Sequence, residues 1–278
     1  MRTWFITGAS RGFGALIAER ALAKGDNVVA TARKPETVTA RLGEHPHLLA
    51  VALDVTREEQ AHEAAKAAVE RFGRIDVLVN NAGYGLLGAV EEATAAEIEA
   101  LYRTNVFGLL AVTRAVLPHM RRQRTGHILN FSSIGGYRSG AGFGVYCSTK
   151  FAVEGLTEAL SAELAPLGIH VTSIEPGYFR TDFLDATSLS VSPVRIADYD
   201  GTAGTVRDFA AGISHKQPGD PDKLAQAIIT FIEMPNPPVR LPLGSDTVAA
   251  IAAKHESDAA ILAQWRALSM STDFASPA

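Results

Sequence analysis

Cysteine is almost absent from this sequence: Cys147 is the only one among 278 residues. An intrachain disulfide is therefore excluded, and the reducing cytoplasm is the simplest expected location. No apolar run is long enough to span a bilayer. A strand-like apolar segment begins as early as Trp4, which leaves no room for a secretory signal. We therefore expect a cytoplasmic protein with no membrane contact.

A surplus of positive charge is also lacking. The chain carries 26 Lys and Arg against 30 Asp and Glu, a net charge of −4, so no basic face predicts binding to nucleic acid. Internal repeats and low-complexity tracts are missing, and no residue cluster predicts a metal site. Hydrophobic residues make up 47% of the chain, enough for a full core. The expected partner is a small-molecule substrate.

Short apolar segments alternate with longer helical patterns along most of the chain. The segments with strand character are Thr3–Thr7, Asn27–Ala32, Leu48–Leu53, Val77–Asn80, His127–Phe131, His170–Glu175 and Val239–Leu241. Several are continuous apolar runs, as expected for strands covered on both faces. The longest helical patterns between them are Glu58–Arg71, Ala95–Arg121 and Tyr146–Leu164. This order predicts an α/β fold, a Rossmann-type doubly wound, mostly parallel seven-stranded sheet in a three-layer α/β/α sandwich.

No linker divides the chain, so we expect one domain over residues 1–278. Between Phe183 and Gly219 glycine, proline and polar residues cluster without a clear period. Long loops of this kind in compact domains are usually functional, and we predict a substrate lid inserted at about residues 183–219. Asp220 followed by Pro221 predicts the start of a further helix. A C-terminal helical extension is expected at about residues 245–278.

A glycine-rich loop follows the first predicted strand. Its sequence, Thr7-Gly-Ala-Ser-Arg-Gly-Phe-Gly14, leads directly into a helical pattern. Glycine at positions 8, 12 and 14 lets the backbone turn tightly and approach a diphosphate, whose charge meets the free amides of the helix start. We interpret this strand–loop–helix unit as a dinucleotide site.

The end of the second predicted strand indicates which nicotinamide cofactor binds. An acidic side chain there would bond the ribose hydroxyls and repel an added 2′-phosphate, but the chain has Ala32 followed by Arg33, with Arg11 in the glycine loop. Guanidinium groups bind phosphate bidentately, so the pattern favours NADP(H); solvated surface arginines are the alternative. Asp54, after the third strand, accepts from the adenine amino group in one interpretation and caps the helix starting at Thr56 in the other.

Tyr146 and Lys150 are four residues apart in a helical pattern, so their side chains lie on one face, one turn apart. A free tyrosine has a pKa near ~10, and a nearby ammonium lowers the pKa, which makes the phenol a usable proton donor and acceptor. Ser133, 13 residues before the tyrosine, is placed to hold a carbonyl oxygen. Taken alone, the pair is also compatible with chance; its combination with the glycine loop favours function.

Together these residues make the chain resemble the short-chain dehydrogenase/reductase family over nearly its whole length. The matching elements are the Thr7–Gly14 loop, Asp54, Asn80-Asn-Ala-Gly83, Asn105, Ser133, Tyr146, Lys150, Pro176-Gly177 and Thr181. Two segments, Asn80–Gly85 and Glu175–Asp182, are similar to the branch with 17β-hydroxysteroid and retinol dehydrogenases. Phe179 departs from the family pattern, where a smaller aliphatic residue is common, and we interpret it as an aromatic packed under the lid.

The resemblance implies a role for each matching residue. Tyr146 would be the general acid in reduction and the base in oxidation, and Lys150 would bond the nicotinamide ribose. Ser133 would orient the substrate oxygen, and Asn105 would hold a water of a proton relay. The expected cofactor contacts are Gly8, Ser10, Arg11, Gly12, Phe13, Gly14, Arg33, Asp54, Val55, Asn81, Ala82, Gly83, Tyr146, Lys150, Pro176, Gly177, Phe179 and Thr181. The expected substrate contacts are Gly135, Gly136, Tyr178 and Phe183.

The resemblance predicts an enzyme that transfers a hydride between NADP(H) and a carbonyl or secondary alcohol. Apolar residues of the lid indicate an apolar ketone or alcohol, although they also suit packing within the lid. One rival is a regulator that senses NADP(H) without turnover, which predicts a damaged catalytic set. A second rival keeps its nicotinamide bound and performs net isomerisation, epimerisation or elimination. Assembly into a homodimer or homotetramer through the two long helices is expected from the family.

Overall fold

The computed structural model describes residues 1–274. Its strands are β1 Thr3–Ile6, β2 Asn27–Ala32, β3 Leu48–Ala52, β4 Val77–Asn80, β5 Gly85–Leu87, β6 Gly126–Phe131, β7 Ile169–Pro176, β8 Leu189–Val191 and β9 Arg240–Leu243. Seven of them form one sheet in the order β3-β2-β1-β4-β6-β7-β9, and all neighbours in it are parallel. The α/β prediction is confirmed, and the seven predicted strands differ from those found by two residues at most at either end.

Helices cover both faces of this sheet. They are α1 Gly12–Ala23, α2 Glu36–Leu42, α3 Glu58–Phe72, α4 Ala95–Tyr102, α5 Leu109–Gln123, α6 Gly144–Leu164, α7 Thr205–Ile213, α8 Pro221–Phe231 and α9 Ser245–Met270. Trp4 and Ile6 of β1 pack with α1 and α8 in one core, whereas Phe5 packs with α3 and α5 in the other. Because successive side chains of a strand point to opposite faces, a strand covered on both sides is apolar on both, as β1 is from Trp4 to Ile6.

The region predicted as one helix over Ala95–Arg121 is interrupted. A π-helical segment, Arg103–Gly108, separates α4 from α5. Asn105, inside this segment, is buried, and its amide bonds the backbone N–H and C=O of Tyr84 at 3.1 and 2.9 Å. Gly108 packs so tightly on Val55 that a Cβ there would come within 2.7 Å of it. The wider turn therefore serves tertiary contacts that helical periodicity does not encode; π-bulges often occur at functional sites.

A second, two-stranded parallel sheet is formed by β5 and β8. Both strands have only three residues, and neither was predicted. β8 belongs to the segment 183–219, which also contains α7, and the pairing joins that segment to the loop after β4. Three-residue strands carry too little side-chain alternation to be distinguished from loops, since the pattern needs four to eight residues to be recognised.

A buried ion pair attaches the same segment to the body of the protein. Arg207 on α7 pairs with Glu92, and both side chains are almost fully buried. The Glu92 carboxylate also accepts from the backbone N–H groups of Ile196 and Ala89, at 3.0 and 2.7 Å. These two bonds, together with the Arg207 guanidinium, hold the pKa of Glu92 below its ordinary range. The segment predicted to be a lid is therefore ordered by a charged contact in the protein interior.

The helix predicted after Asp220 is present as α8. The Asp220 carboxylate accepts from the N–H groups of Asp222 and Lys223, at 3.0 and 3.3 Å, and Pro221 occupies the first helical position. Helix α9 occupies 245–270 of the expected C-terminal extension, and residues 275–278 lie outside the described part of the chain. None of the helices within residues 1–274 has both the length and the apolarity needed to cross a membrane.

Candidate active site

A cleft of about 1060 Å³ follows the edge of the sheet at which the parallel strands end. Such an edge is where ligands bind in open α/β sheets. The predicted site residues line this cleft, with three exceptions: Gly14, Asn105 and Gly136. Gly136 lies behind the cleft wall, where a Cβ would come within 2.4 Å of Ser132 Oγ. The remaining positions, which are scattered along the sequence, are brought into one concave surface.

The glycine loop after β1 is held open by the chain that follows β4. Gly8 and Gly12 have φ values of +66° and +55°, which favour glycine. Asn81 Nδ2 donates to the carbonyls of Thr7 and Gly8 at 2.9 and 3.1 Å. Thr7 Oγ1 accepts in turn from Asn81 N at 3.0 Å. Gly14 is packed behind the loop, where a Cβ would lie 2.6 Å from Gly8 O and from Asn81 Nδ2, so its role is close packing instead of lining the cleft.

At the far end of the cleft, Arg33 and Asp54 lie at the ends of β2 and β3. The Asp54 carboxylate accepts from Thr56 N at 3.0 Å and Thr56 Oγ1 at 2.7 Å, a local turn, while α3 begins only at Glu58. Asp54 is therefore not the cap of that helix, and the capping interpretation is wrong. Arg11 was expected to point to the same end, but its guanidinium donates to Thr187 O in the lid segment at 2.5 Å.

At the deep end of the cleft, Tyr146, Ser133 and Lys150 come together. Tyr146 is buried, and burial raises its pKa above the ordinary value, although the polar contact with Ser133 acts in the opposite direction. The lowered pKa expected from the sequence is thus wrong for the protein without ligand. The cause is desolvation, which disfavours the phenolate, and the Lys150 ammonium lies 5.8 Å from the centre of the phenol ring.

Lys150 is itself an unusual cation because it is buried. Its Nζ donates to Phe131 O at 2.8 Å. Burial lowers its pKa from 10.5 to about 8, and the negative charge of Glu154, one turn further along α6, opposes that shift. The ammonium is therefore still charged at neutral pH, but at a cost in free energy that the fold must offset.

Two buried carboxylates lie beyond Lys150. Glu154 accepts from Ser173 Oγ at 2.6 Å, and Arg240 Nη1 lies 3.1 Å from Glu154 and 3.0 Å from Glu175. Burial raises the pKa of Glu175 to about 7, and the neighbouring Glu154 adds to the effect. Two acids therefore share one guanidinium, and one of them is easily protonated. The sequence analysis did not find this cluster, since β7, α6 and β9 contribute one member each.

Asn105 lies behind the cleft, next to the lysine. Besides its bonds to Tyr84, its Nδ2 donates to Thr149 Oγ1 at 3.2 Å. A Cβ on Gly83 would come within 3.1 Å of Asn105 Oδ1 and 3.8 Å of Lys150 Nζ. Asn105 and Lys150 are thus both neighbours of the same glycine, and any larger residue at position 83 would push between them.

The segment after β7 forms the floor of the cleft. Gly177 N donates to Leu243 O at 3.0 Å, and Tyr178 N donates to Asp246 Oδ2 at 2.7 Å. A Cβ on Gly177 would lie 2.2 Å from the Asp246 carboxylate. Asp246, in the first turn of α9, therefore fixes this segment and is a residue that the sequence analysis missed. Its place in the first turn of a helix is a common one for an acid, but the sequence gives no sign of the loop that it contacts.

Phe179 packs into the core in the manner expected from the sequence. Its ring meets Phe13 edge-on at 5.5 Å, and Phe13 stacks on Phe131 at 5.6 Å. Phe179 is buried, and its backbone forms a bridge with Gly219, at the end of the lid segment. The aromatic ring thus ties the glycine loop to the floor of the cleft.

The remaining part of the cleft surrounds Tyr146 with aromatic and apolar side chains. Phe183 and Phe143 lie 5.5 and 6.0 Å from the Tyr146 ring, and Tyr178 meets Phe209 of α7 at 5.9 Å. A Cβ on Gly135 would approach Tyr146 Cε1 to 3.6 Å, so a small residue there leaves room beside the phenol. A mostly apolar chamber therefore opens next to the tyrosine.

Comparison with known proteins agrees with this geometry. The family model described as short chain dehydrogenase matches residues 2–190. The oxidoreductase BOA17 of Botryotinia fuckeliana is 40% identical over 273 residues, which cover 98% of this chain and 99% of that protein. A short-chain dehydrogenase structure from Streptomyces avermitilis is similar with a TM-score of 0.91 and 41% identity, over 98% of this chain and 100% of the other.

A more distant solved relative was determined with a dinucleotide. The 3-ketoacyl-(acyl-carrier-protein) reductase from Brucella melitensis, complexed with NADH, has a TM-score of 0.71 and 30% identity, over 87% of this chain and 96% of that chain. Residues 2–190, which match the family model, contain the glycine loop, Ser133, Tyr146 and Lys150. The chain is therefore an oxidoreductase that belongs to the short-chain dehydrogenase family.

Proposed function

We propose that the protein is an NADP(H)-dependent oxidoreductase that acts on a carbonyl or secondary alcohol, with Tyr146 as the general acid and base. The observation that carries the proposal is the meeting of Tyr146, Ser133 and Lys150 at the deep end of a cleft whose other end is a glycine loop. These groups can hold a carbonyl oxygen and deliver a proton to it, which is what reduction of a carbonyl requires.

Both the size of the cleft and the backbone of its glycine loop suit a dinucleotide. At Gly12 no described atom lies within 4 Å of the position that a Cβ would occupy, so this part of the loop is open. The positive φ of Gly12 turns the chain into α1. The first amides of a helix are suited to bind a phosphate. The expected contacts with the diphosphate are Ser10 to Phe13, and those with the nicotinamide half are Lys150 and the segment 176–181. When bound, the nicotinamide supplies or accepts the hydride.

Tyr146 is suited to give a proton because burial keeps its phenol protonated at neutral pH. The Lys150 ammonium stabilises negative charge that develops on the phenolate oxygen after the proton has left. Ser133, whose Oγ accepts from Gly135 N at 3.0 Å, has a hydroxyl proton that it can donate to the substrate oxygen. In the reverse direction the same tyrosine takes the proton from an alcohol, and Ser133 holds the oxygen in place.

The preference for NADP(H) rests on the residues at the end of β2. Ala32 is buried there and is uncharged. Arg33, which follows it, is exposed at the cleft and carries a positive charge. No carboxylate occupies the place that would repel a 2′-phosphate. The Brucella relative was solved with NADH, so the choice is argued from this chain alone.

Arg33→Ala is expected to weaken NADPH binding by roughly tenfold to over a hundredfold, because a charge-assisted hydrogen bond contributes ~1.5–3 kcal/mol. NADH binding should barely change, since NADH lacks the phosphate. Titration calorimetry with each cofactor measures both. The matched control is Arg41→Ala, on α2, whose guanidinium pairs with Glu19 at 2.9 Å outside the cleft. An equal loss for NADPH and NADH would contradict the assignment.

The apolar chamber beside Tyr146 favours an apolar ketone or alcohol. Consumption of NADPH, followed spectroscopically with a panel of ketones of increasing apolar size, tests the proposed function. A regulator that only senses NADP(H) binds the cofactor but turns over no ketone. An enzyme that retains its nicotinamide for isomerisation, epimerisation or elimination shows no net oxidation of NADPH. The complete set of Asn105, Ser133, Tyr146 and Lys150 disfavours the regulator, whereas the second rival would keep the same residues and is distinguished by the NADPH assay.

Two large apolar side chains support the homo-oligomer expected from the family. Phe107, in the π-helical segment, and Phe151, on α6, are 57% and 46% exposed. Both belong to the helices through which a dimer or tetramer was expected, so they offer apolar surface to such an association. Light scattering at micromolar concentration should therefore give the mass of a dimer or tetramer. The 29.5 kDa mass of a single chain would refute it.

A further inference from the structure

Gln217, at the end of the lid segment, is a buried polar residue whose carboxamide has no partner. Its side chain is only 1% exposed, yet it lines the cleft. Neither Nε2 nor Oε1 makes a hydrogen bond with any group in residues 1–274. Buried polar side chains are nearly always paired, and an unpaired one destabilises the fold. Gln217 is thus a candidate for pairing with a ligand.

The backbone of Gln217 is held in place from two sides. Its carbonyl accepts from the Arg180 guanidinium, at 3.3 Å from Nε and 3.2 Å from Nη2. Two residues later, Gly219 N donates to Tyr178 O at 3.0 Å, and Arg180 N donates to Gly219 O at 2.9 Å. The carboxamide is therefore not a mobile surface group, since the chain on which it stands is fixed.

The position of Gln217 in the fold shows which part of the cleft lies next to it. Phe179 and Gly219 form a parallel bridge, and Gln217, two residues before Gly219, bonds Arg180 through its carbonyl, so Gln217 stands beside the segment that follows β7. This is the segment that the proposed function assigns to the nicotinamide half of the cofactor. A primary carboxamide has one acceptor and two donors, and only a group with both kinds of atom can satisfy Gln217 fully.

We propose that Gln217 binds the carboxamide of the nicotinamide ring, with its Oε1 accepting from the ligand N–H and its Nε2 donating to the ligand C=O. The inference rests on the proposed function, because it requires a nicotinamide dinucleotide in the cleft. It adds a residue that lies outside every motif in the sequence analysis. It also connects the lid segment to the cofactor, since Gln217 ends the lid and its ligand lies on the cleft floor.

The test is Gln217→Met, which keeps the length of the side chain and removes both polar atoms. The affinity for NADP+ is expected to fall between about tenfold and a hundredfold, the range for the two net hydrogen bonds that are lost. The melting temperature without cofactor should stay the same or rise, since two unpaired buried atoms are removed. A structural role predicts the opposite pair of results, a lower melting temperature and unchanged affinity, and would overturn the inference. The control is Gln226→Met, an exposed residue of α8.

The 3-acetylpyridine analogue of NADP+ gives a second measurement, because its acetyl group keeps the carbonyl but lacks the N–H groups. Wild-type protein should bind NADP+ about tenfold more tightly than this analogue, and Gln217→Met should lose that preference. Equal binding of the two by wild type overturns the inference, even if the variant fails to fold. A higher KM for ketone with unchanged cofactor affinity also overturns it. Absence of any dinucleotide binding to wild type would instead refute the proposed function.

Discussion

Tyr146→Phe is expected to lower kcat for ketone reduction by about 10²–10⁴-fold, the range that a positioned proton donor contributes. The phenol of Tyr146 is buried, and it lines the cleft together with Ser133 and Lys150. Phenylalanine keeps the ring that packs against Phe143 and Phe183, so the shape of the chamber is preserved. Steady-state kinetics and calorimetry of NADPH binding together measure the effect.

Cofactor affinity should change little in this variant, because the ring and the floor of the cleft are untouched. The matched control is Tyr102→Phe, which removes the same oxygen from a tyrosine outside the cleft whose hydroxyl donates to Ser148 Oγ at 2.8 Å. We expect this control to keep its kcat. Wild-type turnover by Tyr146→Phe would contradict the assignment of the proton donor, and a parallel loss of NADPH binding would point to a structural role.

Lys150→Met is expected to abolish most turnover and to stabilise the protein without cofactor. Burial lowers the lysine pKa from 10.5 to about 8, and a shift of this size corresponds to about 3 kcal/mol. The variant also loses the hydrogen bond from Nζ to Phe131 O, which reduces the gain in stability by about 1 kcal/mol. A net increase of about 2 kcal/mol in the free energy of unfolding at pH 7 follows. Chemical denaturation measures it.

The pH dependence of the free energy of unfolding tests separately whether charged Lys150 destabilises the fold. Between about pH 8 and pH 10.5 the unfolded chain keeps the Lys150 proton that the folded protein has released, so stability of the wild type should rise with pH in this window. The variant lacks that rise, so the two curves should cross within this window, and above pH 10.5 the wild type should be more stable by about 1 kcal/mol, the contribution of its Nζ bond to Phe131 O. The control Lys66→Met, on the exposed face of α3, should match wild type. A variant less stable than wild type at pH 7 would show that the ammonium is not destabilising.

The parts of the fold that the sequence predicted are those governed by local rules. Strands covered on both faces are mostly apolar, so β2 and β4 were found with their bounds correct. Asp220 and Pro221 predict the start of α8, because a capping residue and a first-turn proline affect only the few residues next to them. The proposed catalytic set was predicted from its spacing and its resemblance to the family, and Ser133, Tyr146 and Lys150 do line the same cleft.

The parts that were missed depend on contacts between distant segments. The π-helical turn exists because Asn105 reaches the backbone of Tyr84. Asp246 acts 68 residues away from Tyr178, and a helix start gives no sign of which loop it will hold. Arg11 was expected near Arg33, but the lid segment offers it the carbonyl of Thr187. None of these partners can be inferred from periodicity, because each is chosen by how the elements pack.

The amino-acid sequence by itself determined the alternation of strands and helices and the family, since these depend on neighbours along the chain, and it predicted which side chains carry the chemistry. Only the tertiary structure decided the electrostatic state of those side chains. Spacing alone predicted that Lys150 would lower the pKa of Tyr146, whereas burial raises the phenol's pKa and lowers the amine's. The physical reason is desolvation, which acts through the removal of water around a group and is set by everything that packs against it.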